Sequence, residues 1–334
     1  CRIDLLSCIG FAFIIMRSDN IYRWWENNLK KVLVTPQGFY FVKDKLGASF
    51  NKNIEYIFTK GMVKNNEILK ASLRECSGLV VGSETINKDI IDSSPSLKLI
   101  VRFGTSVENI DQDYLAFKKI KLFKIKSNHT VEGVANLCLT FALNYIFNTY
   151  HHSRDSSYRV WKRYMNSDPS NTTIGLVGAG DIAKSFYIKA QNLGFKVIYH
   201  SRNRNNFFDE QEVDFYPALG DLILNSDIVS LHLPFNMETK NFIGKGELAD
   251  FQDKLLINTS RGGIVNLIAL KMALKENKSF YYFTDVLGEE PPQEADLDLI
   301  SGLNVMSTAH IGGYSEAALL DVSLQTIQII NDEI

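Results

Sequence analysis

Little in this sequence is skewed, and what it lacks already removes several classes of function. The formal net charge is only −2, from 36 Lys and Arg against 38 Asp and Glu. No general field therefore draws the chain to nucleic acid or to an anionic membrane, and an anionic ligand needs a local site. Basic clusters such as Lys118, Lys119 and Lys121 read as solvated faces. The four cysteines, Cys1, Cys8, Cys76 and Cys138, stand without metal-ligand spacing. Their scatter predicts free thiols, no disulfide, no zinc site and a reducing, cytoplasmic setting. Seven prolines and 22% charged residues exclude a disordered or fibrous chain. No repeat of fixed period is visible. The apolar run 5–16 is too short, at about a dozen residues, to span a bilayer comfortably. Because the chain opens on Cys1 and no clear small-residue cleavage site follows, residues 1–15 read as upstream sequence or a fragment edge, ahead of a targeting segment. Residues 1–30 are accordingly set aside as an N-terminal extension.

What is present is alternation. Short apolar runs at 31–35, 54–58, 78–82 and 97–101 read as buried strands, separated by amphipathic stretches at 65–74 and 87–94. Strands alternating with helices predict a parallel α/β sheet. A long apolar helix is expected over 130–150, suited to bridging two domains or pairing two subunits, and a polar stretch follows it. A second α/β series then supplies strand candidates at 173–177, 196–200, 228–231, 254–258, 279–285 and 305–308, with a last helix over 315–333. With 334 residues, two domains can each bury a core. The expected fold is α/β, two Rossmann-like domains with doubly wound parallel sheets. One is expected over 31–128 plus 314–334, and the dinucleotide-binding one over 129–313.

Within the second series, Ile174-Gly-Leu-Val-Gly178-Ala-Gly180-Asp181-Ile182-Ala183 sets a G-x-G-x-x-A element between a strand and a helix. Gly178 permits the tight turn, Gly180 lets backbone approach a pyrophosphate, and Ala183 allows close helix packing. The amides opening the helix would bind the anion. Asp181 opposes an easy fit unless its side chain turns to solvent. The next strand ends at His200-Ser201-Arg202-Asn-Arg204, about twenty residues on, where an NAD site usually carries an acid. Ser201 and the arginines suit a 2′-phosphate instead, so the residues lean to NADP while NAD stays open. The plainer alternative is two arginines solvated on a loop.

Three later segments each lie just past a predicted strand: Asn258-Thr259-Ser260-Arg261-Gly-Gly, Asp285-Val-Leu-Gly-Glu-Glu290-Pro, and Thr308-Ala309-His310-Ile-Gly312-Gly. That is the edge where an open α/β sheet binds ligands. Singly, Arg261 passes for a surface arginine, Glu290 for one acid among several, and His310 for a packed histidine. Together they are a carboxylate binder, an orienting carboxylate and a proton donor, the set that carbonyl reduction needs.

With Ser230-Leu-His-Leu-Pro234 and, earlier, Arg102-Phe-Gly104-Thr105-Ser106-Val-Glu-Asn109, these motifs resemble the D-isomer-specific 2-hydroxyacid dehydrogenases, and among them the phosphoglycerate dehydrogenase branch. The resemblance covers nearly everything from Lys31 onward. It implies interconversion of a 2-keto acid and a D-2-hydroxy acid by hydride transfer, in a cleft between two domains that closes on binding. Arg261 would hold the substrate carboxylate, and His310 would act as general acid or base, oriented by Glu290. Amides at Gly104, Thr105 and Ser106 would complete the substrate pocket. Gly178, Gly180, Asp181, Ile182, Ser201, Arg202, Pro234, Thr259, Ser260, Asp285, His310 and Gly312 match positions along the cofactor. A homodimer through 130–150 is also implied. The chain departs from the pattern at Ser201, at Ala309 in place of a proline, at Asn266 in place of Asp, and at Asn136 in place of an acid. Those departures put cofactor choice and cleft stability in doubt. A phosphoglycerate-like substrate is favoured, with a glyoxylate or hydroxypyruvate reductase and a non-catalytic NAD(H)-sensing protein as alternatives.

Overall fold

The computed structural model describes residues 29–61, 63, 65–302 and 304–334. Cys1, Cys8 and the apolar run 5–16 lie outside the described residues. The chain divides into two compact units: one runs to Lys126 and takes up Val322–Ile334, and the other is Ser127–Asp321.

The first unit holds a five-stranded parallel sheet of β1 (Lys30–Val34), β2 (Ile54–Phe58), β3 (Gly78–Val81), β4 (Leu99–Arg102) and β5 (Lys121–Lys124), in the order β2-β1-β3-β4-β5. Leu33 of β1 faces Ile57 on one side and Leu79 on the other. Central strands of a parallel sheet are covered on both faces, which is why Val32, Leu33 and Val34 and all of β3 are buried without alternation. The strand β5 was not expected. Its Lys-Leu-Phe-Lys sequence reads as a solvated basic patch, but lysines suit an exposed edge strand. Lys118, just before it, pairs with Asp92 at 2.6 Å. The final helix, Glu316–Glu333, ends in this unit, where Asn331 accepts from Tyr56 at 3.3 Å.

The second unit is a seven-stranded parallel sheet: β6 (Thr173–Val177), β7 (Lys196–His200), β8 (Asp214–Phe215), β9 (Ile228–Leu231), β10 (Leu255–Asn258), β11 (Tyr281–Thr284) and β12 (Val305–Ser307). Its order, β12-β11-β10-β9-β6-β7-β8, puts β6 between β7 and β9, so the direction of winding reverses at β6. That reversal is the place where a doubly wound sheet opens a ligand crevice beyond its strand ends. The two-residue β8 escaped the sequence reading because alternation cannot show in so short a strand.

The helix expected over 130–150 is broken. One helix, Asn128–Ile146, stops where Asn148 takes a left-handed backbone with φ 50°, and a second, Thr149–Ser157, leaves at 68° to it. Its apolar face is used inside the unit: Ala135, Cys138, Phe141, Ala142 and Ile146 pack with Ala183, Phe186, Tyr187 and Ala190 of the helix Asp181–Asn192. The two helices are also tied by Glu132, which accepts from Ser185 at 2.7 Å and pairs with Lys189 at 2.6 Å. Among the described residues no single helix is long and apolar enough to cross a membrane.

Candidate active site

The turn after β6 is built by contact. Gly178 has φ 110°, a left-handed conformation that L side chains rarely adopt. A Cβ there would lie 2.8 Å from the His232 carbonyl carbon. At Gly180, which caps the helix Asp181–Asn192 without a side-chain hydrogen bond, a Cβ would meet nothing within 4 Å. The first turn of that helix thus opens onto free space, with amides lacking an intrahelical partner at its end, and the cradle fits a dinucleotide pyrophosphate. Asp181 is exposed, and Ile182 beside it is half-buried. Behind the turn both ring nitrogens of His232 are buried without a partner among the described residues, and burial pushes its pKa down to about 3. A ring kept neutral there supports the turn and adds no charge.

The groups expected at the far end of the cofactor all have protein partners. Ser201 Oγ donates to the Asn203 carbonyl, Arg202 pairs with Glu238 at 3.2 Å and Arg204 with Asp209 at 3.0 Å. Pro234 is exposed at the end of its segment, and its carbonyl accepts from Thr239 Oγ1 at 2.6 Å.

Beyond β10, β11 and β12 stand the three groups expected to carry the chemistry. His310 Nδ1 and Glu290 Oε2 are 2.6 Å apart. Glu290 also accepts the Leu287 amide at 3.1 Å through its other oxygen. Burial pushes the Glu290 pKa up, but the His310 bond and charge, the Leu287 amide and the Arg261 guanidinium together outweigh it and hold the carboxyl below its usual range. Arg261 thus bears on the Glu290 carboxylate, and its Nη1 donates to the Ser260 carbonyl at 2.6 Å. Asn258 shapes the turn before it, accepting from the Ser260 amide at 3.1 Å and donating to the Arg261 carbonyl at 3.0 Å. The Glu290–Pro291 peptide is cis.

His310 has φ 53°, an uncommon conformation for a non-glycine residue that costs strain, so something must impose it. Asp285 does. Its buried carboxylate accepts from Thr308 Oγ1 at 2.5 Å and from the amides of Ile311 and Gly312, both at 2.8 Å, while its carbonyl accepts the His310 amide at 3.0 Å. Asp285, expected along the cofactor, is thus committed to the loop that presents His310. Thr259, expected there too, is buried with its hydroxyl 3.2 Å from Cys138 Sγ. Ser260 Oγ donates to the Leu231 carbonyl at 2.7 Å. Gly133 was missed: a Cβ there would strike the Gly312 carbonyl, so the start of the helix Asn128–Ile146 seats the histidine loop. A glycine inside a helix costs about 1 kcal/mol against alanine, and that cost was the available signal.

The substrate-loop candidates Gly104, Thr105 and Ser106 belong to the first unit. There Arg102 donates to the carbonyls of Phe103 at 2.9 Å and Ser106 at 2.7 Å, and Gly104 takes φ 142°.

Residues 139–312 match the model of the family described as D-isomer specific 2-hydroxyacid dehydrogenase, NAD binding domain. The chain is 30% identical over 267 residues to glyoxylate reductase of Thermococcus litoralis, covering 75% of this chain and 78% of that one. It is 28% identical over 257 residues to D-3-phosphoglycerate dehydrogenase of Methanocaldococcus jannaschii, covering 75% of this chain and 48% of that longer one. The structure of D-lactate dehydrogenase from Aquifex aeolicus, complexed with NAD and lactic acid, shares the fold with a TM-score of 0.78 at 21% identity, over 90% of this chain and 94% of that one. The chain belongs to the D-isomer specific 2-hydroxyacid dehydrogenases, oxidoreductases that act on a CH–OH group with NAD.

Proposed function

We propose that this protein interconverts a short, unphosphorylated 2-keto acid of the glyoxylate, hydroxypyruvate or pyruvate class and its 2-hydroxy acid, with Arg261, Glu290 and His310 as the working groups. The observation that carries this reading is the 2.6 Å bond between His310 Nδ1 and Glu290 Oε2. It commits Nδ1 to the carboxylate and leaves Nε2 as the nitrogen through which the imidazole exchanges a proton. In reduction Nε2–H protonates the former carbonyl oxygen, and in oxidation the neutral ring takes that proton back. The planar guanidinium of Arg261 suits the substrate carboxylate, which it can hold by two parallel hydrogen bonds. When bound, NAD supplies the hydride acceptor or donor at the carbon that carries the oxygen.

A phosphorylated substrate calls for further basic groups. Arg102, the candidate for that task, has Nε and Nη1 engaged with carbonyls of its own loop, which favours the smaller acids over a phosphoglycerate-like one. Gly178, Gly180, Asp181 and Ile182 form the pyrophosphate end of the cofactor site in this reading. NADP competes with NAD, since no acid stands at Ser201 and the Arg202–Glu238 pair is a surface pair worth under about 1 kcal/mol. A homodimer is also proposed. The surface favoured for it is the segment after the helix pair, where Tyr158, Trp161 and Met165 are 75%, 90% and 93% exposed.

The test is loss of absorbance on incubation of NADH or NADPH with glyoxylate, hydroxypyruvate, pyruvate or 3-phosphohydroxypyruvate. Turnover of the three small acids that His310→Ala abolishes supports the reading. Turnover of the phosphorylated acid alone overturns the substrate class, and cofactor binding without any turnover replaces the enzyme by an NAD(H) sensor.

A further inference from the structure

The turn that presents Arg261 is braced from within the sheet. Asn258, the last residue of β10, is fully buried, and its side-chain amide spans the turn from the Ser260 N–H to the Arg261 carbonyl. Those two partners fix which end of the amide is oxygen and which is nitrogen. The second Nδ2 hydrogen reaches the Tyr282 hydroxyl at 3.2 Å on the neighbouring strand. That hydroxyl donates in turn to Thr284 Oγ1 at 3.3 Å, which also accepts the Val286 amide at 3.2 Å and donates to the Val286 carbonyl at 2.6 Å. Thr284 Oγ1 also lies 3.0 Å from the Asn258 carbonyl, so two acceptors share its proton, whereas the second Asn258 N–H has the Tyr282 hydroxyl as its acceptor and loses it with the phenol. Beyond Arg261, Gly262 packs against the backbone of Leu287 and Gly288 with no room for a Cβ. A cavity of about 130 Å³ lies there, lined by Gly262, Gly263, Leu287 and the Tyr282 ring among others.

We infer that Tyr282 is a positioning residue for Arg261, acting through the Asn258 amide, with Thr284 holding the phenol in register. The inference rests on the reading of Arg261 as the substrate-carboxylate holder. Without the hydroxyl, one Asn258 N–H loses its acceptor, the side-chain amide is held less firmly, and the Arg261 carbonyl relies on the Ile264 amide, which it accepts at 3.2 Å. The guanidinium then samples more orientations, which weakens substrate binding before it touches proton transfer at His310.

The experiment is a double-mutant cycle of Tyr282→Phe and Arg261→Lys, measuring KM and kcat for the keto acid, the NADH dissociation constant and the melting temperature. Tyr282→Phe alone is expected to raise KM roughly fivefold to tenfold, with kcat within about twofold and NADH affinity unchanged, the size expected when one buried donor loses its acceptor. In the Arg261→Lys background the same change is expected to add little. An unchanged KM in the wild-type background, or an equal rise in both backgrounds, overturns the inference. Thr284→Val, which keeps the shape and removes both the acceptor of the phenol and the hydroxyl's own 3.0 Å contact with the Asn258 carbonyl, must give the same split even if Tyr282→Phe folds poorly. If Arg261→Lys itself leaves KM unchanged, the reading of Arg261 fails. If Arg261→Lys raises KM and neither other variant does, only the bracing role fails.

Discussion

Two glycines two residues apart separate the integrity of the dinucleotide turn from its occupation. At Gly178 an alanine meets two obstacles within the protein itself. Its backbone stands at φ 110°, and its Cβ would sit 2.8 Å from the His232 carbonyl carbon and 3.3 Å from the His232 Cβ. The conformational part alone costs about 1–3 kcal/mol. The contact is with backbone at the end of β9, so relief requires β6 and β9 to part at their carboxyl ends. A loss of about 2 kcal/mol in a unit of this size lowers the melting temperature by roughly 4–8 °C. At Gly180 the backbone, φ −79° and ψ −176°, is open to any residue and the space is empty. There the lost backbone freedom of the unfolded chain and the poorer helix cap offset each other to within about 1 kcal/mol. Gly180→Ala should therefore melt like the wild type yet bind NADH about 10- to 100-fold more weakly, the value of one charge-assisted amide contact. Gly178→Ala should lose both. Calorimetric titration with NADH and a thermal melt on each variant decide the matter, and wild-type affinity in Gly180→Ala would refute the placement of the pyrophosphate at this helix end.

Further outcomes follow from the same geometry. His310→Ala should lower kcat by about 10²- to 10⁴-fold while NADH affinity persists, read by turnover and titration side by side. Glu290 has a folded pKa below its usual 4.5, so it contributes stability above that pH which is lost as pH falls through the folded value. Melting temperature followed from pH 7 to pH 3 should accordingly fall less steeply in Glu290→Gln than in the wild type. Arg202→Ala should weaken NADPH binding about tenfold and leave NADH binding as it is, whereas equal effects on both cofactors would remove Arg202 from the choice between them.

The sequence made the central strands legible because both of their faces are buried. Runs such as Val32-Leu-Val and Leu255-Leu-Ile have no other home than the middle of a covered parallel sheet. Edges were less legible for the converse reason: β5 carries lysines at both ends, and β8 has two residues. The break in the helix lay in a signal too weak to stand alone: after glycine, Asn is the residue that most readily takes a left-handed helix stop, and Asn148 does so with φ 50°. At the site, residue type and position past a strand end were enough to single out Arg261, Glu290 and His310. What could not be read was support. The four bonds from the histidine loop to Asp285, the Gly133 contact and the Tyr282 brace all depend on atoms brought together from distant parts of the chain.

The supports have a common logic. The strands β10, β11 and β12 are adjacent and parallel, so their carboxyl ends open on one edge at a spacing of about 4.8 Å. Loops that leave such an edge run outward to solvent unless they are tied to each other. Each of the three is tied to the one beside it: Asn258 to Tyr282, Asp285 to the segment from Thr308 to Gly312, and Glu290 to His310. The first two ties lie in the buried layer and the third at the surface, where the His310 side chain is 46% exposed. A change to a buried tie should therefore move Arg261 or His310 as a unit and appear in KM or kcat with a changed melting temperature. A change at Glu290 should act on His310 and on the Leu287 amide that its other oxygen accepts, lowering kcat with a smaller loss of stability at neutral pH than a change to a buried tie. A Glu290→Gln protein that melts many degrees lower at pH 7 would show that this exposed pair holds the fold and is not a freely tunable part of the chemistry.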